Sequence, residues 1–446
     1  MPLRLRNTLT GSLEPLVPIR AGQIGIYVCG PTVYDHAHIG HARSAVFFDV
    51  IVRFLRFEGY AVRYVRNFTD LDDKILERAG NERIEARELA DRYIRSYRED
   101  MAALGVHAPD CEPRVTEHIE DIRGMVARLV QGGHAYVQAG DVYYRVRSQG
   151  DYGRLAAAAQ SDPATAGFRV MPAEGKEDAR DFLLWKKAAD DGPAWESPWG
   201  RGRPGWHIEC VAMGYRHLGS LFDIHGGGRD LIFPHHENER ALSRSLAGTD
   251  LATHWVHHEL VTVNGGKLSK SMHSGYRIRD LCRRHDPSAI RLFLLSTHYR
   301  RPVDFTERRL EEAVSALERL AGLAGRCGDT GEGEARVAEG TSELGARFRE
   351  AMRQDINIPG ALALLFASAR RINRSLNAAG GHGGLKRQLR LEIGDLLFLC
   401  RNVLGILPES AGHVFSHGRE GVQGPSCGTL VHTDSTEDEE VDVKAR

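Results

Sequence analysis

Two imidazoles, His38 and His41, are separated only by Ile39 and Gly40. At a helix start that pattern can do either of two things. It can cap the helix, or it can present two ring nitrogens to phosphate beside backbone N–H groups and the positive helix end. Gly40 has no side chain, so a nucleotide could approach the backbone there. Far downstream, Asn264-Gly265-Gly266 leads into Lys267-Leu268-Ser269-Lys270-Ser271. A short glycine-bearing turn with two lysines is often only a solvated loop, yet the pair stands out in a chain that otherwise favours arginine. In Leu221-Phe222-Asp223-Ile224-His225-Gly226-Gly227-Gly228-Arg229-Asp230 a strand pattern runs into three glycines. A glycine run is costly inside a domain. It points to close backbone approach of a nucleotide at Gly227, with Asp230 placed for ribose hydroxyls. His235 and Glu239 are four apart on a predicted helix opening at Phe233 and so share a face; a surface hydrogen bond and a shared ligand are equally open.

These groups need a scaffold. Ile24-Gly25-Ile26-Tyr27-Val28-Cys29 is an apolar run that reads as a buried strand, broken by Gly30-Pro31-Thr32. The spacing of Ala45, Phe47, Phe48, Val50, Ile51 and Phe54 predicts an amphipathic helix over 41–58, and residues 60–67 a second strand. Strand, helix, strand makes a right-handed parallel unit and an open α/β sheet. Thr69 falls at the carboxyl end of the second strand, where such sheets bind ligands. Asp70, Asp72 and Asp73 then cap a helical stretch over 75–104. A helix over 113–135 and a strand over 140–146 follow, and residues 148–200 turn polar and rich in Gly, Pro and Trp. The stretch 115–200 reads as an insertion beside the sheet. After the turn at Gly205, Trp206 and His207 lead into a helix bearing Cys210. Residues 1–23 read as a hairpin, and 307–323, 341–354, 360–377 and 385–404 as amphipathic helices.

The bulk properties narrow the classes. A chain of 446 residues has room for two to four domains. Its net charge of −1 advertises no global nucleic-acid field, so any RNA contact must come from local arginine patches. Seven scattered cysteines form no disulfide framework and favour a reducing cytosol. The start, Met1-Pro2-Leu3-Arg4, lacks the apolar run of a signal peptide, and no segment is apolar enough to span a bilayer. The expectation is a soluble, cytoplasmic protein.

The histidine pair and the lysine loop, in this order, resemble the two signatures of class I aminoacyl-tRNA synthetases, with Leu268 where that class most often has Met. Over residues 20–320 the chain is similar to cysteinyl-tRNA synthetases in particular. The matching stretches are Cys29-Gly30-Pro31-Thr32-Val33-Tyr34-Asp35, Asn67-Phe68-Thr69-Asp70-Leu71-Asp72-Asp73-Lys74, Gly205-Trp206-His207-Ile208-Glu209-Cys210, Asp223-Ile224-His225-Gly226-Gly227-Gly228 and Phe233-Pro234-His235-His236-Glu237-Asn238-Glu239. The resemblance implies a Rossmann-like parallel-sheet catalytic domain (1–114 and 201–250) with a connective insertion (115–200). A lysine-loop subdomain (251–306) and a helical tRNA-contacting bundle (307–407) would follow. It implies a Zn²⁺ ion held by Cys29, Cys210, His235 and Glu239, a ligand set that zinc chemistry accepts. His207, His225 and His236 would lie behind the ligands or in the pocket. Gly30, Thr69, Trp206 and His225 would bind the amino acid. His38, His41, Lys267 and Lys270 would carry catalysis, with Gly40, Gly227, Asp230 and Lys270 on ATP and Mg²⁺ accompanying it. Lys270 is the first choice for stabilising the transition state.

The reaction implied activates L-cysteine with ATP and transfers it to the 3′ end of tRNA-Cys. Zinc suits this substrate: shape separates close analogues by only about 1–3 kcal/mol, whereas zinc lowers the pKa of a bound thiol and prefers sulfur. The substrate thiol would add to the metal, and no editing domain is needed. A monomer is expected. Two departures stand out. Met272-His273-Ser274 replaces the usual Leu-Gly-Asn after the lysine loop. Residues 408–446, rich in Gly, Ser and His and ending acidic, stand where the family carries an anticodon-reading module, and their composition predicts disorder. Two other readings stay open: a cysteine ligase for a small amine acceptor, like that of mycothiol synthesis, and a non-catalytic RNA-binding paralogue. The second predicts loss of His38, His41, Lys270 or a metal ligand, and all are present.

Overall fold

The computed structural model describes residues 2–159, 175–188, 192–267, 275–327, 342–378 and 387–408, with backbone alone at 267 and 387. The chain starts with a hairpin, β1 (Arg4–Asn7) and β2 (Ser12–Pro15), before β3 (Gln23–Val28) enters a four-stranded parallel sheet. From β3 it crosses through α1 (Ile39–Phe57) to β4 (Ala61–Arg66), paired from Gln23↔Ala61 to Val28↔Arg66. Most of α1 is buried, which is why its apolar residues extend beyond a single stripe. The stretch expected as one helix over 75–104 is two, α2 (Asp73–Glu82) and α3 (Ala86–Ala103). Arg83 adopts a left-handed conformation, φ 56°, that ends α2.

The insertion comprises α4 (Ile119–Gln131), β5 (Ala135–Gln138), β6 (Asp141–Tyr144), the short α5 (Arg154–Ala158), β7 (Phe182–Lys187) and β8 (Gly202–Pro204). Its strands pair antiparallel in sequence order around Tyr144, Leu184 and Trp185. The pairing Trp185↔Pro204 carries this sheet past the boundary expected at 200. The chain then returns through α6 (Trp206–Leu218) to β9 (Phe222–Gly228), and through α7 (Glu237–Ala247) to β10 (Ala252–His258). The parallel sheet has the order β10-β9-β3-β4. Residues 252–258 therefore belong to it and not to the subdomain expected over 251–306. From β3 one connection leads to β4 on one side, and the later chain returns to β9 on the other. The carboxyl ends of β3 and β9 thus flank a topological switch point, where open parallel sheets bind ligands.

A small sheet of β11 (Val261–Val263), β12 (Gly266–Lys267) and β13 (Val303–Phe305) follows, with α8 (Ile278–Arg284) and α9 (Pro287–Leu295) between its last two strands. The chain continues as α10 (Glu307–Cys327), α11 (Glu343–Arg353), α12 (Ile358–Ala378) and α13 (Arg387–Phe398), close to the four helices expected. Leu320, Phe348, Ile372 and Leu396 of this bundle share one continuous core with α1 and β3. A buried ionic knot joins the same parts. Asp49 of α1 pairs with Arg53 at 2.8 Å and with Arg291 of α9, while Arg291 Nε donates to Leu404 O at 2.7 Å. Burial would raise the Asp49 carboxyl, but Arg291 and Arg53 hold it below the usual carboxylate range. The expected disordered tail and Lys270 lie outside the described residues.

Candidate active site

The site is assembled at the switch point from three chain segments. β3 delivers Cys29, whose N–H still donates to Gly226 O of β9 at 3.2 Å. The loop then presses on the residues after β4. A Cβ on Gly30 would lie 1.6 Å from Asn67 O, and Gly30 N donates to Asn67 Oδ1 at 2.8 Å. Gly205 does the same for α6, since a Cβ there would lie 2.1 Å from Leu183 O of β7. That contact seats the start of α6, with Trp206, His207, Glu209 and Cys210. The third segment was expected as regular helix from Phe233. It is instead a wide turn over 232–236, in which Phe233 is extended (φ −135°, ψ 132°). His235 sits in this turn yet still meets Glu239 of α7, Nε2 to Oε1, at 2.9 Å.

Cys29, Cys210, His235 and Glu239 each place a donor atom within 4.8 Å of the others. Cys29 Sγ lies 3.5 Å from His235 Nε2 and 3.4 Å from Glu239 Oε1. Cys210, His235 and Glu239 are buried. The local field calls for positive charge. Burial opposes an imidazolium at His235, yet Glu239 and Cys210 push it up to about 10. A hydrogen bond from Cys29 brings the Cys210 thiol down to about 7 against its burial. Burial would raise Glu239, but His235, His225 and His236 hold it well below the ordinary range. Two thiols, an imidazole and a carboxylate in a space this small are suited to a divalent soft-to-borderline cation.

His225 and His236, expected behind the ligands, come as close as the expected set. Together with Cys29 and Glu239 they form a second group of donors within 4.8 Å. His225 Nε2 lies 2.5 Å from Glu239 Oε2, and its Nδ1 faces Tyr27 O at 3.2 Å. His207 Nδ1 lies 2.9 Å from His235 Nδ1. Behind them runs a chain that the sequence reading missed: His236 Nδ1 to His257 Nε2 at 2.7 Å, and His257 Nδ1 to Thr8 Oγ1 at 2.8 Å. Its one sequence signal is the density of histidine in Thr253-His254-Trp255-Val256-His257-His258, an apolar strand. Trp206 covers the cluster, its ring stacked on His235 with centroids 4.2 Å apart. Thr69 is buried beside it, with Asn67 Nδ2 3.4 Å from its Oγ1.

On the other side of the crevice, His38 is the N-cap of α1. Its Nδ1 accepts from Gly40 N at 3.1 Å, and His41 Nδ1 accepts from His38 N at 3.2 Å. The rings stack with centroids 3.9 Å apart. Capping occupies Nδ1 of both rings, so a phosphate contact would be made through Nε2. Capping and ligand binding are therefore compatible. Gly40 lets the His38 ring fold over the helix end, since a Cβ would lie 2.9 Å from its Cε1. The glycine run has a packing cause that the sequence did not suggest. A Cβ on Gly226 would strike the Phe48 ring at 2.3 Å, and one on Gly227 would meet His236 and Leu231 at 2.9 Å. Asp230 lies in the turn following β9. The backbone of Lys267 ends β12, and Lys270 falls outside the described residues. Among the described residues no helix is long and apolar enough to cross a membrane.

Comparison with known proteins gives a consistent result. Residues 15–315 match the family described as tRNA synthetases class I (C) catalytic domain, and residues 347–408 the DALR domain. A cysteine–tRNA ligase of Trichlorobacter lovleyi is 47% identical over 418 residues, covering 90% of this chain and 86% of the relative. One of Halorhodospira halophila is 47% identical over 401 residues, again covering 90% and 86%. In fold, the chain is similar to Mycobacterium tuberculosis methionyl-tRNA synthetase in complex with methionyl-adenylate. The TM-score is 0.58 at 14% identity, over 86% of this chain and 90% of that one.

Proposed function

The chain belongs to the cysteine–tRNA ligase family of class I tRNA synthetases, and from that premise we propose that a zinc ion held by Cys29, Cys210, His235 and Glu239 selects its amino acid. The enzyme uses ATP to activate L-cysteine and passes the cysteinyl group to tRNA. The observation that carries the zinc reading is the convergence of those four donors within 4.8 Å at the switch point. When bound there, zinc supplies a Lewis acid that prefers sulfur to a hydroxyl, so cysteine is separated from serine by chemistry more than by size. His207 and His225 orient His235 and Glu239, and Trp206 shields the cluster from water.

In the first step the cysteine carboxylate attacks the α-phosphorus of ATP and pyrophosphate leaves. In the second a terminal ribose hydroxyl of tRNA attacks the activated carbonyl, loses its proton, and AMP leaves. Gly30, Thr69, Trp206 and His225 border the amino acid. The Nε2 atoms of His38 and His41, the α1 N-terminus and Gly40 lie where the triphosphate would be held, with Mg²⁺. Gly227 and Asp230, at the end of β9, face the nucleoside in this reading. Lys267 and Lys270 serve the phosphates in this reading, and Lys270 meets the charge that builds during activation. The bundle over 307–407 contacts tRNA. In this reading the protein works in the cytoplasm as a monomer.

The decisive experiment is transfer of labelled cysteine, with ATP and magnesium, onto a tRNA transcript bearing the cysteine anticodon. Charging is expected; cysteine-dependent exchange without charging would reassign the acceptor. Lys270→Ala should cut cysteine-dependent ATP–pyrophosphate exchange by about 10²–10³-fold, and an unchanged rate removes Lys270 from the mechanism. Cys210→Ser should lose bound zinc and with it discrimination against serine; a full zinc content by metal analysis would refute the ligand set.

A further inference from the structure

Away from the metal cluster, a thiol and two imidazoles meet where the segment before α4 runs beside β4. The sheet edge places Cys111 there: its N–H donates to Tyr64 O at 3.2 Å, and its carbonyl accepts from Arg66 N at 3.1 Å. The thiol is half-buried. Its Sγ lies 3.7 Å from Nδ1 of His217, in the last turn of α6. His217 Nε2 lies 3.0 Å from Nε2 of His118, the N-cap residue of α4, and His118 Nδ1 donates to Arg114 O at 2.8 Å. Both imidazoles are buried.

A carbonyl oxygen only accepts, so His118 Nδ1 carries a proton, and in the neutral ring its Nε2 accepts from His217 Nε2. His217 Nδ1 then keeps its lone pair towards the thiol. The order is nucleophile, base and orienting group. Burial first, then His118, Arg63 and Arg216, bring His217 down to about 4, so the ring is neutral at physiological pH and its lone pair is available. Arg63 Nε donates to His217 O at 3.0 Å. Surroundings that resist an imidazolium suit the negative sulfur that a thiol becomes when it reacts. Burial works the other way on Cys282, Cys327 and Cys400, raising all three, the first to about 11 and the last to about 12.

We propose that Cys111 is a site of thiol–disulfide exchange, with small aliphatic disulfides as its reactants and His217 as the proton acceptor. The thiol proton passes to His217 Nδ1 and Cys111 Sγ attacks one sulfur of the disulfide. The S–S bond of the reactant breaks, and the leaving thiolate takes the proton. The products are a mixed disulfide at Cys111 and one small thiol. L-Cystine, the disulfide of the amino acid that this family activates, belongs to the class.

The test incubates the full-length protein with L-cystine at neutral pH and follows each cysteine by peptide mapping. Cys111 should form its mixed disulfide about tenfold or more faster than Cys282, which is also half-buried. His217→Gln, which keeps the size and removes the base, should slow Cys111 by about tenfold or more, while Cys282 keeps its rate. Dithiothreitol should return the protein to its original mass. Buried Cys400 reports unfolding. If His217→Gln exposes it, His118→Phe decides, because it keeps a ring, removes the acceptor for His217 Nε2 and leaves the base in place. That variant should slow Cys111 by about threefold or more. Reaction at Cys111 no faster than at Cys282, or a rate that the folded variant leaves unchanged, overturns the proposal. The readout is adduct formation and not aminoacylation, so its failure leaves the ligase reading standing.

Discussion

Gly30 and Gly80 are both glycines, and the structure assigns them opposite consequences. At Gly30 the obstacle to a Cβ is backbone, Asn67 O at 1.6 Å, which cannot turn aside as a side chain would. Gly30→Ala should lower stability by about 1–3 kcal/mol and shift Cys29 away from Glu239, so that bound zinc falls as well. At Gly80, inside α2, nothing lies within 4 Å. Gly80→Ala should therefore stabilise by about 0.5–1 kcal/mol through the entropy of the unfolded chain. Thermal melts of the two variants decide the matter, and a Gly30→Ala protein as stable as the parent would refute the close approach. The same scale explains the histidines. His235, His225 and His236 all face Glu239, and their sequence neighbourhood does not say which of them hold an ion and which orient the others.

At the scale of elements, α1 does two jobs. Its start presents His38 and His41 to the crevice, and its middle carries Asp49, which anchors α9 and the chain after α13 through Arg53 and Arg291. Removing one partner of a buried ion pair strands the other, so Arg291→Met should cost about 3–5 kcal/mol in urea unfolding at neutral pH. The sign of the pH effect follows from the depressed Asp49 pKa. Its contribution is fully present above the unfolded carboxyl value of about 3.9 and is lost as pH falls through the lower folded value. In Asp49→Asn the loss of stability below about pH 4 should be shallower than in the parent. Identical acid limbs in the two proteins would show that other carboxylates dominate. The break between α2 and α3 belongs to this scale too. Residues 80–85 mix Gly and Asn with good helix formers, so the sequence signals continuation and interruption at once.

For the whole molecule the question is how the helical bundle is held against the sheet. Asp355 is a fastener: Oδ1 accepts from Arg6 N at 2.8 Å and from Tyr299 Oη at 2.5 Å, while Oδ2 accepts from Arg300 Nε at 2.7 Å. It thus links β1 and the loop after α9 to the segment joining α11 and α12. Its backbone is left-handed, φ 62°, which Asn also tolerates. Asp355→Asn should therefore keep the local conformation and weaken the junction. If the bundle positions tRNA, charging should fall by about three- to tenfold, with pyrophosphate exchange nearly unchanged. Equal loss of both activities would show that the junction serves stability alone.

By itself the sequence determined the parallel unit around β3, α1 and β4, the histidine pair at a helix start, and the four helices of the bundle. All of these are written in local periodicity and short-range spacing, which a strand or an amphipathic helix must obey. It also supplied, through family resemblance, four ligand candidates that the structure brings together. The tertiary structure decided how many other groups share that space. Cys29, Cys210, His235 and Glu239 arrive from β3, α6, a wide turn and α7, and only the order β10-β9-β3-β4 makes those ends converge. Long-range pairing also assigned β8 to the insertion sheet and β10 to the parallel sheet, and filled the space beside Gly226 and Gly227 with Phe48 and His236. Packing partners distant along the chain leave no mark on local periodicity, which is why these features became visible only in three dimensions.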